Sequence, residues 1–174
     1  MTRLRRQLEP DCPGVSWVPE ENYHVTLRFL GEIAESDYET LDALVRDQYA
    51  CLMQFEAKLG GIGAFPSLRH PAVLWAGVAS PDNMFRRLNK VAETAAQCLG
   101  LQAEVNRFHP HVTLGRVRAR RGGKREEGRL SATPEALADF EGDVFQIAHV
   151  ALFLSELSPQ GSRYRAVKDF PLHA

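Results

Sequence analysis

Two hydrophobic periods alternate along this chain, and between them they predict its elements. Tyr38, Leu41, Leu44, Val45, Tyr49 and Leu52 recur at three- and four-residue steps, which predicts an amphipathic helix from Ser36 to about Met53. Its start carries Ser36-Asp37-Tyr38-Glu39, a capping box in which hydroxyl and carboxylate each accept a backbone amide of the first turn. Phe85, Leu88, Ala92, Ala95 and Leu99 form the stripe of a second helix, opened by Ser80-Pro81-Asp82 and ended by Gly100. A shorter period governs the rest. Val15–Val18, Tyr23–Leu30, Phe55–Leu59, Leu101–Val105 and Phe108–Val117 are β-prone and bounded by turn formers, so each is predicted as a strand. Gly60-Gly61 and Gly63 allow a bulge after the third of these, and Phe65-Pro66-Ser67 is predicted as a loop. Val73–Val78 is almost wholly apolar, as a central strand covered on both faces would be. Val144–Leu154 and Ser162–Leu172 flank Ser158-Pro159-Gln160-Gly161 and predict a hairpin. Short helical pieces are predicted at Arg3–Leu8 and from Thr133-Pro134 toward Phe140.

Each half thus has short strands and one main helix, without the strand–helix alternation that a doubly wound parallel sheet demands. At 174 residues, 44% hydrophobic and 25% charged, the chain has the balance of one globular domain or two small lobes sharing a core. No apolar run approaches the roughly 20 residues of a membrane helix, and Met1–Arg6 lacks the apolar centre of a secretory signal, so a cytoplasmic protein is expected. Cys12, Cys51 and Cys98 are odd in number and widely spaced, which argues against a disulfide framework or a zinc knuckle. Net charge is only −1, yet Arg116, Arg118, Arg120, Arg121, Lys124, Arg125 and Arg129 face only Glu126 and Glu127 in one stretch. Such runs are commonly solvated loops. This one is continuous with a strand that carries chemistry, which favours steering of a phosphate-bearing substrate.

That chemistry lies in a tetrapeptide present twice, His24-Val25-Thr26-Leu27 and His111-Val112-Thr113-Leu114. Random shuffling yields roughly 0.2 His-x-Thr per such chain, so the weight rests on strand context as much as on repetition. On a strand, alternate side chains share a face. His24 with Thr26, and His111 with Thr113, would therefore stand on one face, with the Val and Leu residues turned to a core. Two imidazoles brought together can act as a base and an acid across a phosphodiester, with hydroxyls and a nearby Arg on the non-bridging oxygens. No metal or other cofactor is then required. Nothing in this symmetric arrangement says which histidine gives the proton.

The residues carry a resemblance. Trp17-Val18-Pro19-Glu20-Glu21-Asn22-Tyr23 leads into the first motif and on to Phe29-Leu30-Gly31-Glu32. Phe65-Pro66-Ser67, Val73-Leu74-Trp75-Ala76-Gly77, Phe108–Arg116, Leu154-Ser155-Glu156-Leu157, Gly161 and Tyr164 continue it. From Val15 onward the chain resembles the two-histidine phosphoesterases, specifically the RNA 2′,3′-cyclic phosphodiesterase group historically called 2′-5′ RNA ligases. The resemblance implies a bilobal α+β domain over residues 1–174, with antiparallel sheets in pseudo-twofold relation about a central cleft and helices on the outer faces. It implies hydrolysis of RNA 2′,3′-cyclic phosphate ends to 2′-phosphates, with 2′-5′ ligation, the same reaction run backward, as a runner-up. By position, His24 matches the proton donor, His111 the proton acceptor, Thr26 and Thr113 the phosphate-binding hydroxyls, and Arg116 a substrate-binding Arg. A monomer acting on RNA away from membranes is expected.

Relatives usually begin with a strand of the Arg-Leu-Phe-Val-Ala-Ile type and a full helix, whereas about a dozen residues precede Val15 here. The family's first strand is therefore expected to be missing. Two other readings of the site compete with the metal-free pair. His109-x-His111 with His24 is a possible metal set, though it lacks an acidic or Cys partner. A cleft that binds RNA ends without turnover would use the same residues. Within the enzyme class, a small cyclic nucleotide or an ADP-ribose cyclic phosphate is the alternative substrate. His70, His149 and His173 are expected to be structural.

Overall fold

The computed structural model describes residues 2–12, 14–117, 140–158 and 161–174. In chain order the elements are α1 (Thr2–Leu8), β1 (Val15–Trp17), α2 (Ser36–Ala50), β2 (Phe55–Pro66), β3 (Pro71–Ala79), α3 (Met84–Cys98), β4 (His111–Val117), β5 (Glu141–Ile147), β6 (His149–Ser158) and β7 (Gly161–Pro171). The basic run beyond Val117 and the helix expected from Thr133 lie outside the described residues. No described helix is long and apolar enough to cross a membrane. Two compact units emerge. One is Met1–Thr26, Ala57–Ala79 and His109–Phe145; the other is Leu27–Glu56, Ser80–Phe108 and Gln146–Ala174.

The first unit is built on a sheet of strand order β1-β4-β3-β2-β5. β3, the apolar run, occupies its middle and pairs antiparallel with β2 and β4. The α+β expectation holds in this antiparallel pairing. One face of the sheet is closed by Leu59, Ile62, Ala64, Leu74, Ala76, Val78, Val112 and Leu114, all buried. Every second residue between them turns to the other face, the period that a half-buried sheet imposes.

In the second unit, α2 and α3 pack together and α2 also contacts β7. The expected stripes are the buried ones: Leu41, Val45 and Tyr49 on α2, and Phe85, Leu88 and Ala95 on α3. Tyr49 and Phe170 have ring centroids 5.9 Å apart, and Phe55 meets Phe85 edge-on at 5.2 Å. Burial pushes the Tyr49 phenol up, and its hydroxyl lies 3.4 Å from the Leu88 carbonyl. The capping box does not form. Glu35 is the N-cap of α2, Ser36 already lies within the helix, and no side chain caps its start.

Three predicted strands come out differently. Leu101–Val105 is irregular: Gln102 O accepts from Arg28 Nη2 at 2.6 Å, Glu104 N–H donates to Glu93 Oε1 at 3.2 Å, and Val105 is fully exposed. Val144–Leu154 is broken at Ala148, so that its first part joins the five-stranded sheet as β5 and its second pairs with β7. The hairpin of the last two runs forms as expected. Tyr23–Leu30 is not a regular strand either; only Val25 forms a β-bridge. Its carbonyls find side chains instead of a ladder, Leu27 O accepting from Asn89 Nδ2 at 2.7 Å and Phe29 O from Arg28 Nη1 at 3.1 Å.

Arg28 is the tie of this region. Its side chain is 8% exposed, with Nε 2.7 Å from Glu93 Oε2 and Nη1 2.8 Å from Glu104 Oε1. A buried guanidinium needs such partners, because one left unpaired costs several kcal/mol, on the order of 3–5 when a partner is removed. The Glu93 carboxyl is held below its usual range by the Gln97 side-chain amide, then by the Glu104 N–H and the Arg28 guanidinium, against an opposing effect of burial. A carboxylate with a lowered folded pKa stabilises fully above the unfolded value and loses that contribution as pH falls through the folded one. Unfolding midpoints in urea should therefore decline below about pH 4, and Glu93→Gln should lower the neutral-pH midpoint while flattening that acid decline.

Candidate active site

Both motif copies are brought to one strand of the first unit. β1 pairs antiparallel with β4, Val15 opposite Val117 and Trp17 opposite Gly115, and Val18 N–H then donates to Leu114 O at 2.9 Å. Pro19 cannot donate to a ladder. The chain turns there through a 3-10 helix at Glu20–Asn22 and returns to β4 with Val25 bridged to Val112. Antiparallel pairing advances one residue on one segment and steps back one on the other. The bridge therefore sets His24 beside Thr113 and Thr26 beside His111, a local twofold arrangement about the two valines. The motif residues are together, on a β4 strand and a bridged segment rather than on two full strands.

The two imidazoles are oriented in the same way. His24 Nδ1 lies 2.7 Å from the Asn22 carbonyl, and His111 Nδ1 lies 2.7 Å from the His109 carbonyl. A carbonyl only accepts, so Nδ1 carries the proton in each ring and Nε2 is left to exchange one. The carbonyl two residues back also fixes each ring's rotation. The second lead-in is itself anchored, with Val78 N–H donating to Pro110 O at 3.1 Å.

Arg116 reaches the site through an irregularity that strand alternation does not foresee. Counting from His111 by twos, Arg116 would fall on the buried face with Val112 and Leu114. A register shift between Leu74 and Trp75 changes this, since Trp75 pairs with Thr113 but Leu74 pairs with Gly115, leaving Leu114 as an extra residue. Leu114 and Gly115 are consequently both buried, and Arg116 emerges exposed on the face of His111 and Thr113, opposite Val73 and Ser16. Re-aiming one side chain is what a bulge does. Gly115 is required by the close approach of β1: a Cβ there would overlap Val15 Cγ1 and lie 3.0 Å from Ser16 O.

An aromatic layer stands beside His111. Trp75 follows the bulge on β3, and its indole lies over Gly63 so closely that a Cβ on that glycine would sit 2.6 Å from Cε2. The Phe65 ring rests on the indole at 5.3 Å between centroids and meets His111 nearly edge-on at 5.2 Å. His109 approaches Trp75 at 4.8 Å and lies roughly parallel to the His111 ring at 6.4 Å. Trp75 Nε1 is buried with no hydrogen-bond partner among the described residues. Such an orphan costs roughly 1–3 kcal/mol, so packing and not polar bonding places the ring there. The hydrophobic pattern puts Trp75 in a central apolar strand and Phe65 in a loop, whereas Phe65 lies within β2, one residue before its end. The available signal was Gly63, two residues before Phe65 on the same strand face, which leaves room for an indole on the neighbouring strand.

His109 serves His111 through its carbonyl. Among the described residues, no three His, Cys, Asp or Glu side chains are grouped to hold a metal ion. His70 sits in the β2–β3 turn with its N–H on Ser67 Oγ at 3.3 Å, and His173 pairs through its backbone with Leu52 and Gln54.

Paired His-x-Thr motifs of this geometry agree with the comparisons. The family model of the 2′-5′ RNA ligase superfamily matches residues 1–156. A protein of Aeropyrum pernix named RNA 2′,3′-cyclic phosphodiesterase is 31% identical over 97% of this chain and 93% of its own. One of the same name from Methanothermobacter thermautotrophicus is 30% identical over 99% of this chain and 90% of its own. The structure of Escherichia coli LigT complexed with 3′-AMP shares the fold, with a TM-score of 0.73 at 23% identity over 98% of this chain and 88% of that one. This chain belongs to the 2′-5′ RNA ligase superfamily.

Proposed function

We propose that this chain hydrolyses 2′,3′-cyclic phosphate ends of RNA to 2′-phosphates, with His24 as proton donor and His111 as proton acceptor. The observation that carries this reading is the Val25–Val112 bridge with its two matched Nδ1 anchors. It gives two oriented imidazoles, each beside the other motif's threonine. The names of the Aeropyrum and Methanothermobacter relatives support the substrate class.

Water approaches phosphorus in line with the 3′ oxygen and passes its proton to His111 Nε2 as the new O–P bond forms. The P–O3′ bond breaks, and that oxygen takes the proton of His24 Nε2. The product is a 2′-phosphate beside a 3′-hydroxyl, and the two rings have exchanged protonation states, which solvent restores. Thr26 and Thr113 donate their hydroxyls to non-bridging oxygens, and Arg116 sets its fixed positive charge against the charge that grows on them. With an RNA 5′-hydroxyl in place of water, the same two transfers form a 2′-5′ link without ATP. In this reading the enzyme acts as a cytoplasmic monomer.

The test is an RNA oligonucleotide ending in a 2′,3′-cyclic phosphate, incubated with the protein in EDTA and resolved by product end. Conversion to the 2′-phosphate is expected, with a bell-shaped pH–rate profile that belongs to the histidine pair together. A 3′-phosphate product, or binding without turnover, would contradict it.

A further inference from the structure

The aromatic layer is more than packing. Gly63, Trp75 and Phe65 form successive levels on the open face of the sheet: the indole lies on the glycine, and the Phe65 ring lies on the indole tilted by 35°. The lower ring is largely covered, while Phe65 is 41% exposed. An exposed phenyl beside a polar site gains stabilisation when something apolar and flat covers it. Two placements say what that is. The ring meets His111 nearly perpendicular at 5.2 Å between centroids, and Phe65 shares a cross-strand row with Val73, Arg116 and Ser16, two strands from the arginine assigned to the phosphate and on its face of the sheet. A planar group within a few ångströms of a bound cyclic phosphate is the nucleobase of the same nucleotide.

We infer that Phe65 is the stacking surface for the terminal nucleobase of the RNA end, with Trp75 and Gly63 as its support. The inference rests on the proposed hydrolysis of cyclic phosphate ends and adds how their nucleotide is held. Every base presents a π-face, so stacking does not depend on which base it is. The site therefore favours ribonucleotides over base-free cyclic phosphates while tolerating all four bases, as stacking platforms do.

Wild type, Phe65→Ala, Phe65→Leu and Phe65→Tyr are compared on adenosine 2′,3′-cyclic phosphate and on the 2,3-cyclic phosphate of methyl riboside, which has no base. The readout is the ratio of kcat/KM for the two substrates. Alanine should lower that ratio about tenfold or more, the effect lying in KM for the nucleotide. Leucine should recover only part of it and tyrosine nearly all. A ratio unchanged by alanine, whatever the absolute rates, would mean that Phe65 only braces His111 and would overturn the inference. Leucine matching tyrosine would overturn stacking as its basis. Failure of the wild type on both substrates would instead count against the proposed hydrolysis, so the two failures are distinguishable.

Discussion

His111→Ala lowers turnover of a 2′,3′-cyclic phosphate end by about 10²–10⁴-fold, as does His24→Ala, the range for loss of a general acid or base. Both rings are part-exposed, and each is held at Nδ1 by the carbonyl two residues back, outside the β pairing, so thermal unfolding of either variant should stay close to wild type. The Val25–Val112 bridge that joins the two segments does not involve the imidazoles. Because the two rings serve one displacement, the double variant should lose far less than the product of the single losses. Multiplicative losses, or a variant that retains turnover, would mean that the histidines do not act on one phosphate.

Gly115→Ala should be nearly as damaging, although its side chain would point away from the substrate. An added Cβ meets Val15 Cγ1 and Ser16 O, so either β1 moves off β4 or the Leu114 bulge flattens. Overpacking of this kind costs about 1–3 kcal/mol of stability. A flattened bulge would also return Arg116 to the buried face. Losing one donor to a developing oxyanion is worth roughly 10²–10³-fold in rate. Arg116→Ala should show a loss of that size, and Gly115→Ala should approach it. The double variant should then be little worse than Arg116→Ala alone, and Val15→Ala should partly rescue Gly115→Ala. Independent losses from Gly115→Ala and Arg116→Ala, measured as kcat/KM, would show that the bulge does not aim the arginine.

These residues also mark where sequence pattern stops carrying the structure. The helices were legible because their stripes repeat over several turns, and the stripes that bury are those the periodicity names. Period two placed His111 and Thr113 correctly on one face of β4 and Leu114 on the other. The same rule puts Arg116 on the wrong face, since a one-residue bulge is decided by how β1 and β3 pair with β4 and leaves no mark in local periodicity. Tyr23–Leu30 is mostly β-prone, yet Leu27 O is taken by Asn89 from a position that local pattern does not reveal, and Phe29 O by its neighbour Arg28. Val144–Leu154 has the composition of one strand, and only the competing partners β2 and β7 reveal the break at Ala148. The grouping of the candidate site was more legible than the fold around it. His24, Thr26, His111 and Thr113 are short-range signals, whereas the support of Trp75 by Gly63 and the contact of Phe65 with His111 join residues of different strands.

The division of labour between the two histidines is tested most directly by changing the leaving atom. A nucleoside 2′,3′-cyclic phosphorothiolate, with sulfur at the 3′ bridging position, expels a thiolate that needs no proton from the enzyme. On this substrate His24→Ala should recover most of the wild-type rate, and His111→Ala should stay as impaired as it is on the oxygen ester. Recovery of His111→Ala instead, or equal impairment of both variants, would contradict the assignment of His24 as donor and His111 as acceptor.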